Sequence, residues 1–379
     1  MLDNLELMEI CKKKTDLIMS RIDPESNMRE SAMAVDGRYT SRMSEIDNST
    51  WTHSFLTGMI AYMYYHYKDK KYVEFLDRMY NTYKNALYSN LKEVGHDTGF
   101  VYALYAVAAY KITGDAKYRE LALKAADELS KRFNYEAGVI AAFCRLDEDK
   151  LNTIVDDMMN VQLIMWAQSE TKHPYYERIY NAQAHTLIKY IIRDDYTVRH
   201  AFAFDKKTGE PLTEKNWCGY SCGSAWSRGQ AWAIYSLNSY VKHTGNKYLY
   251  LPNLEGMADT FIRKIEETDM IPIWDFKIPD YAEHIIDTSA AAIVASAFFS
   301  AETDIPKDER HGQFARCGEV SDKIFETLVE RHMADEECEN ILMNGQCGNQ
   351  SVGCIWGDYF FVELLMKRIY KDKLPNFWI

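Results

Sequence analysis

A short turn ending in a basic residue and a tyrosine recurs along the chain, as Lys68-Asp-Lys-Lys-Tyr72, Thr113-Gly-Asp-Ala-Lys-Tyr118, Thr171-Lys-His-Pro-Tyr175 and Thr244-Gly-Asn-Lys-Tyr248. Each copy follows an apolar helical run and precedes an amphipathic one. Gly after Thr offers a left-handed helix end, Asp or Asn offers a cap for the next helix, and so short a link forces the two helices antiparallel. The helices before the turns are apolar nearly all round, as in Ser54 to Tyr67 and Phe100 to Tyr110, while those after are amphipathic, as in Tyr118 to Arg132. The first kind belongs inside and the second outside. Counting both kinds predicts inner helices starting near Trp51, Asp97, Thr153, Arg228, Asp287 and Trp356, with outer partners over 3–22, 72–90, 117–133, 175–193, 248–268 and 314–332. The loose period and the lack of a polar capping repeat favour a closed ring over an open solenoid. The expected fold is all-α: an (α/α)6 barrel of six helical hairpins, a single catalytic domain over residues 1–379. A few short strands are expected in the rim loops, at Ala201–Phe204 and Ile271–Phe276, where the pattern turns to alternation.

Composition narrows the function. The 8 prolines and 18 glycines are scattered, so no linker divides the chain. A net charge of -12, with no Lys/Arg run interleaved with aromatics, argues against nucleic acid as a partner. The N-terminus mixes acids with apolar residues and reads as a first helix, not a signal peptide; no stretch is long and apolar enough to span a membrane. The 8 cysteines, Cys11, Cys144, Cys218, Cys222, Cys317, Cys338, Cys347 and Cys354, are spread thinly, which predicts reduced thiols in a cytoplasmic protein. Cys218 and Cys222 lack the second pair a structural zinc site needs, so no metal is expected. Tyr, Phe and Trp make up 13% of the chain, and such rings fill cores but also suit the C–H faces of sugars.

All inner helices run the same way, so the polar residues at their starts converge on one mouth. These are Trp51-Thr-His53, Gly95-His96-Asp97, Asp156, Ser224 to Trp232 with Trp226, Arg228 and Gln230, Asp287-Thr-Ser289, and Trp356-Gly-Asp358-Tyr359. The long loops 23–50, 136–152, 194–227, 272–286 and 340–355 open at the same mouth, and long loops on a rigid scaffold usually build a site. Plainer readings stand beside this one: Asp97 and Asp287 as helix caps, Arg228 paired with one of them, His96 and His200 satisfied locally, Trp226 and Trp232 in the core. Charges gathered in a pocket are costly without a task, and together these residues describe a carbohydrate site worked by carboxylates. Asp156 and Asp157 sit in an apolar helical pattern over 151–160. The apolar flanks Ile154, Val155 and Met159 favour a protonated Asp156, the general acid, while Asp157 lies about 100° further round and faces elsewhere. Spacing alone leaves glycoside hydrolysis, epimerisation and lyase chemistry open.

Trp51-Thr-His-Ser-Phe-Leu-Thr-Gly58, His96-Asp-Thr-Gly-Phe100, Thr153-Ile-Val-Asp156 with Asn160, Trp226-Ser-Arg-Gly-Gln-Ala-Trp232, Trp274-Asp-Phe276, Asp287-Thr-Ser-Ala290 and Trp356-Gly-Asp-Tyr359 resemble, in order, the motifs of unsaturated glucuronyl hydrolases, glycoside hydrolase family 88. The resemblance implies an (α/α)6 barrel that releases the 4,5-unsaturated uronic acid left at the non-reducing end of oligosaccharides by polysaccharide lyases, with no metal or organic cofactor. It implies protonation of C4 of the vinyl ether by Asp156, addition of water at C5, and collapse of the hemiketal. Asp97 would bind ring hydroxyls and keep Asp156 protonated. His96, His200, Arg228 and Gln230 would contact the substrate, Trp51, Trp226, Trp232 and Trp356 would wall the sugar, and Phe143 would stack on the aglycone.

Two departures stand out. Cys218 occupies a place where some members have Gln, and Asn344-Gly-Gln-Cys-Gly-Asn-Gln-Ser351 has no Lys, unlike members that accept sulfated disaccharides. Unsaturated rhamnogalacturonyl hydrolases, which act on pectin fragments, and a sugar-binding barrel without turnover are the alternatives. The expected partners are the unsaturated oligosaccharide and a second copy of the chain.

Overall fold

The computed structural model describes residues 2–24, 28–29, 33–39, 42–43, 51–89, 95–143 and 148–379. Cys144 and parts of the loops 23–50 and 136–152 lie outside the described residues. The chain alternates outer and inner helices: α1 (Asn4–Arg21), α2 (Ser54–Tyr67), α3 (Lys70–Ser89), α4 (98–113), α5 (Ala116–Ser130), α6 (157–171), α7 (Pro174–Tyr190), α8 (Ser227–Thr244), α9 (Lys247–Glu266), α10 (Thr288–Asp304), α11 (Cys317–Arg331) and α12 (Ile355–Tyr370). Even-numbered helices pack on one another in sequence, and α12 packs on α2, which closes the ring. Odd-numbered helices lie outside them. This is the expected (α/α)6 barrel.

Burial separates the two rings as the apolar patterns require. Every residue of α8 from Ser227 to Val241 is buried, whereas α5 hides the stripe Tyr118, Leu121, Ala122, Ala125, Ala126 and Leu129, the spacing of one helical face. The recurring turns do what their residues suggest. Gly114 (φ 73°) and Gly245 (φ 67°) end α4 and α8 in the left-handed region, and Asp115 and Asn246 cap the next helices by accepting from Lys117 and Leu249 N–H. At the two turns without glycine, Lys68 (φ 57°) and Lys172 (φ 58°) take the same conformation. Inside α4, Ala103–Val107 forms a π-helical stretch, buried throughout.

The strands sit at the mouth formed by the N-terminal ends of the inner helices. Leu151–Ile154, Ala201–Phe204 and Pro211–Lys215 form an antiparallel sheet, with Thr153 opposite Phe202 and Ile154 opposite Ala201. The helix expected from Thr153 therefore starts only at Asp157. Thr153, Ile154 and Val155 are β-branched and prefer the pleated conformation, and Val155 N–H extends the pairing to the His200 carbonyl at 2.9 Å. Ala201–Phe204 is a strand as expected, but Ile271–Phe276 is not. That segment makes only the isolated bridges Trp226 to Asp275 and Ile273 to Ile286. The loop 340–355 is a hairpin of Gly345–Cys347 and Gln350–Cys354. At the opposite end of the barrel, buried Glu363 accepts from Tyr235, Tyr359, Trp378 and Lys367 at 3.0–3.2 Å. Among the described residues no helix is long and apolar enough to cross a membrane, and the seven described cysteines are free.

Candidate active site

A cleft of about 640 Å³ opens at the strand-bearing mouth, lined by Trp51, His96, Asp97, Phe143, Asp156, His200, Trp226, Arg228 and Trp356 among others. Nine of the eleven residues singled out in the sequence thus meet in one cavity. Gln230 and Trp232 do not. Both lie on α8 with Arg228: Gln230, two residues on, is about 200° round the helix, while Trp232 returns to the same face one turn deeper. Gln230 accordingly donates to the Met257 carbonyl of α9 at 3.0 Å. Trp232 packs in the core against Phe100 (5.5 Å) and Phe360 (5.4 Å), behind Trp51. A second cavity, of about 280 Å³, lies at the far end of the barrel among Tyr235, Asn238, Lys367 and the segment 371–379 and contains none of these residues.

Asp156 occupies the corner between strand and helix. It holds the N-cap position of α6 without using its side chain as a cap, so its carboxyl is left to face the cleft. The Asp156 side chain is 14% exposed and its Oδ2 lies 4.0 Å from His200 Nε2; that oxygen has no hydrogen-bond partner. Burial, then the neighbouring Asp97 charge, raise the Asp156 pKa to about 7, against a smaller opposing pull from Arg228. Asp157 points the other way, accepting from Thr153 Oγ1 (2.8 Å) and Ile154 N–H (3.0 Å). Its carboxyl, fully buried, is held well above the usual range.

Asp97 likewise leaves its helix uncapped. Its Oδ1 accepts from Asn160 Nδ2 at 3.2 Å, and its Oδ2 lies 3.4 Å from His96 Nε2. Burial raises Asp97 to about 7, partly offset by the Asn160 bond and by Arg132. Asn160 also accepts from Phe100 N–H at 2.9 Å, tying α6 to α4. Gly99 permits the approach, since a Cβ there would lie 2.2 Å from the Asn160 carbonyl oxygen.

The two histidines repeat one arrangement. His200 Nδ1 accepts from Trp217 N–H at 3.0 Å, and His96 Nδ1 accepts from Phe143 N–H at 3.5 Å. These donors assign the proton to Nε2 in each ring, where it faces Asp156 and Asp97 respectively. Burial lowers both histidines to about 3, so each is a neutral donor. Phe143 reaches its place with φ 50°, and its ring meets His96 at 4.7 Å and Trp217 at 5.2 Å.

Arg228 is clamped between the rings of Trp226 (4.8 Å) and Trp356 (5.1 Å). Its Nη1 donates to Asp287 Oδ2 at 2.5 Å and to the Gln346 carbonyl at 2.8 Å, while Nε is buried without a partner. Asp287 is both cap and counter-ion, since Oδ1 accepts from Ser289 N–H at 3.0 Å. It stands behind Arg228, outside the cleft. Asp358 is also removed from the site, accepting from Tyr39, Ile341 and Leu342.

The sequence reading missed Trp217 and Tyr220, which line the cleft from the loop 194–227, and Gln346 from the hairpin. Aromatic residues in a polar loop were the available signal. Asp275 supports that loop: fully buried, it accepts from Tyr220 N–H (2.9 Å), Ser224 Oγ (2.6 Å) and Ala225 N–H (2.9 Å). Cys218 and Cys347 also line the cleft. Among the described residues no group of three or more His, Cys, Asp or Glu could hold a metal ion.

The profile of Glycosyl Hydrolase Family 88 matches residues 26–363. An unsaturated chondroitin disaccharide hydrolase of Streptococcus agalactiae serotype III is 31% identical over 336 residues, 86% of this chain and 83% of the relative. An unsaturated glucuronyl hydrolase of Bacillus sp. strain GL1 is 31% identical over 332 residues, 85% of this chain and 86% of the relative. The crystal structure of unsaturated glucuronyl hydrolase from Bacillus sp. GL1 superposes with a TM-score of 0.89 at 26% identity, covering 99% of each chain.

Proposed function

Because the chain belongs to glycoside hydrolase family 88, we propose that its cleft carries out that family's chemistry with Asp156 as the acid and base. The protein is a glycosidase that releases 4,5-unsaturated uronic acid from the non-reducing end of lyase-generated oligosaccharides of the glycosaminoglycan type. The observation that carries the assignment to Asp156 is a carboxyl in the cleft wall that caps no helix, with Oδ2 buried and partnerless 4.0 Å from His200 and a pKa of about 7 that keeps a proton available.

The steps are those the family resemblance implies, with the residues of this cleft in the roles. Protonated Asp156 gives its proton to C4 of the vinyl ether, and positive charge develops at C5, shared by the ring oxygen. The carboxylate left behind takes a proton from water as the water oxygen bonds to C5. The hemiketal opens and the aglycone leaves. Asp97 binds ring hydroxyls, and its charge favours the protonated form of Asp156. His200 Nε2–H donates towards Asp156 once it is ionised, and His96 holds Asp97. Arg228, with Nε unpartnered, receives the uronate carboxylate, a pairing for which guanidinium is suited. Trp51, Trp226 and Trp356 wall the sugar, and Phe143 stacks on the aglycone. A single catalytic domain, a cytoplasmic location and a homodimer belong to the same proposal. The thinly spread free cysteines support the location.

The test is loss of the ultraviolet absorbance of the conjugated double bond on incubation with unsaturated disaccharides from glycosaminoglycans and, separately, from pectin. No decay with any of them overturns the catalytic reading, and decay with pectin fragments alone moves the substrate. The pH profile adds a sharper check. A general acid works while protonated, so kcat/KM stays level at lower pH and falls as pH rises through about 7. Asp97→Asn removes a charge that raises Asp156, so the alkaline limb moves to lower pH. An unmoved limb shows that Asp97 does not set the acid's pKa.

A further inference from the structure

Two carboxyls share the cleft, and the chemistry uses Asp156 protonated and Asp97 ionised. Burial does not make that choice, because it raises both to about 7. Nor do the charged and titratable neighbours, which are divided evenly. Asp97 has Arg132 and, at 3.4 Å, His96; Asp156 has Arg228 and, at 4.0 Å, His200. Asp157 and the Cys218 thiol, which burial raises to about 12, act on both. The asymmetry lies in the hydrogen bonds. Asp97 Oδ1 accepts from Asn160 Nδ2 at 3.2 Å, and a donor aimed at a carboxylate favours its ionised form. Asp156 finds only its own backbone N–H, a closure too tight for good alignment, and its Oδ2 has no partner.

The Asn160 amide has one possible orientation. Its Oδ1 accepts from Phe100 N–H at 2.9 Å, and a backbone N–H can only donate, so the NH2 group is the one turned to Asp97. The same nitrogen reaches the Asp156 backbone carbonyl at 3.3 Å, so Asn160 touches both acidic residues but gives a donor to only one carboxyl. Asn160 is fully buried, and α4 and α6 approach here so closely that a Cβ at Gly99 would collide with the Asn160 backbone. The amide is therefore fixed by two helices.

We propose that Asn160 is a positioning residue for the proton of the carboxyl pair: by donating to Asp97 and not to Asp156, it keeps Asp97 ionised and leaves the proton on Asp156. This rests on the hydrolase reading of the cleft.

The experiment records kcat/KM against pH for wild type, Asn160→Leu and Asn160→Ala on an unsaturated glycosaminoglycan disaccharide, with urea midpoints alongside. Leu fills the space of the amide and Ala empties it, and both lack the donor. Without the donor Asp97 holds a proton more readily, its repulsion of Asp156 weakens, and the alkaline limb moves about one unit lower. The variants then lose about ten-fold more activity at pH 8 than at pH 5. A merely structural residue lowers the whole profile by one factor; a limb that stays in place or moves up in a folded variant overturns the proposal. In the wild type, carboxyl carbon resonances of selectively labelled aspartate, assigned with Asp156→Asn, show Asp97 ionising at lower pH than Asp156. The reverse order overturns the proposal even where neither variant folds. Wild-type protein that turns over no unsaturated substrate is a failure of the hydrolase reading, and the order of ionisation is still readable in it.

Discussion

Asp156→Asn lowers kcat by about 10²- to 10⁴-fold, the usual cost of removing a general acid or base, with the fold and substrate binding retained. The amide keeps the size of the carboxyl but has no proton to give to C4 and cannot accept one from water. Retention of the fold follows from the contacts, because the side chain neither caps α6 nor bonds a protein donor through Oδ2. Asp157→Asn supplies the contrast. Burial holds its carboxyl well above the usual carboxylate range, and an amide oxygen in its place can still accept from Thr153 and Ile154. Activity should stay within a few-fold of wild type, with circular dichroism confirming both folds. Equal losses in the two variants would show that the wrong carboxyl has been assigned to the cleft.

The largest effect on stability is expected at a residue that touches no substrate. Asp287→Ala removes the cap of α10 and strands the Arg228 guanidinium, which is 5% exposed, beside the Gln346 carbonyl and two indoles. Breaking a buried ion pair on one side costs about 3–5 kcal/mol, because the remaining charge is uncompensated. The urea midpoint should fall accordingly, and KM should rise as Arg228 loses its orientation. Arg228→Met combined with Asp287→Asn recovers part of the stability, since no charge is then stranded, but not the activity. A loss below about 1 kcal/mol in Asp287→Ala would mean the pair is solvated and contributes as a surface bridge does.

Much of this arrangement was legible in the chain because it is written in local patterns. The turns at Thr113 and Thr244 state their own geometry through Gly, Asp and Asn, and apolar against amphipathic periodicity sorted inner from outer helices. The convergence of Asp97, Asp156 and Arg228 on one mouth followed from the helices running the same way. What escaped depends on long-range pairing. Leu151–Ile154 reads as helix on its own and becomes a strand because Ala201–Phe204, some 50 residues on, supplies the partner. Gln230 and Trp232 share a motif with Arg228, yet helical phase turns one towards α9 and drops the other into the core. Trp217 enters the cleft through the backbone bond to His200, an interaction no composition or period announces.

The π-helical stretch in α4 makes chain length, not residue type, the critical quantity in one place. A π turn holds one residue more than an α turn, so the two halves of α4 are phased about 100° apart from what a continuous α-helix would give. The first half is registered on Asn160 through Phe100 N–H, which presents Asp97 to the cleft. The rest is registered on the barrel wall, where Tyr105 donates to the Leu76 carbonyl of outer α3 at 2.9 Å and Tyr110 meets Trp166 of inner α6 at 6.3 Å. Both registrations hold only while the extra residue is present. Apolar exchanges within 103–107 are therefore tolerable, whereas deletion of a single residue there would force a choice between the carboxylate and the barrel wall. For an evolving sequence, that makes this short apolar stretch a place where a gap is more damaging than almost any substitution.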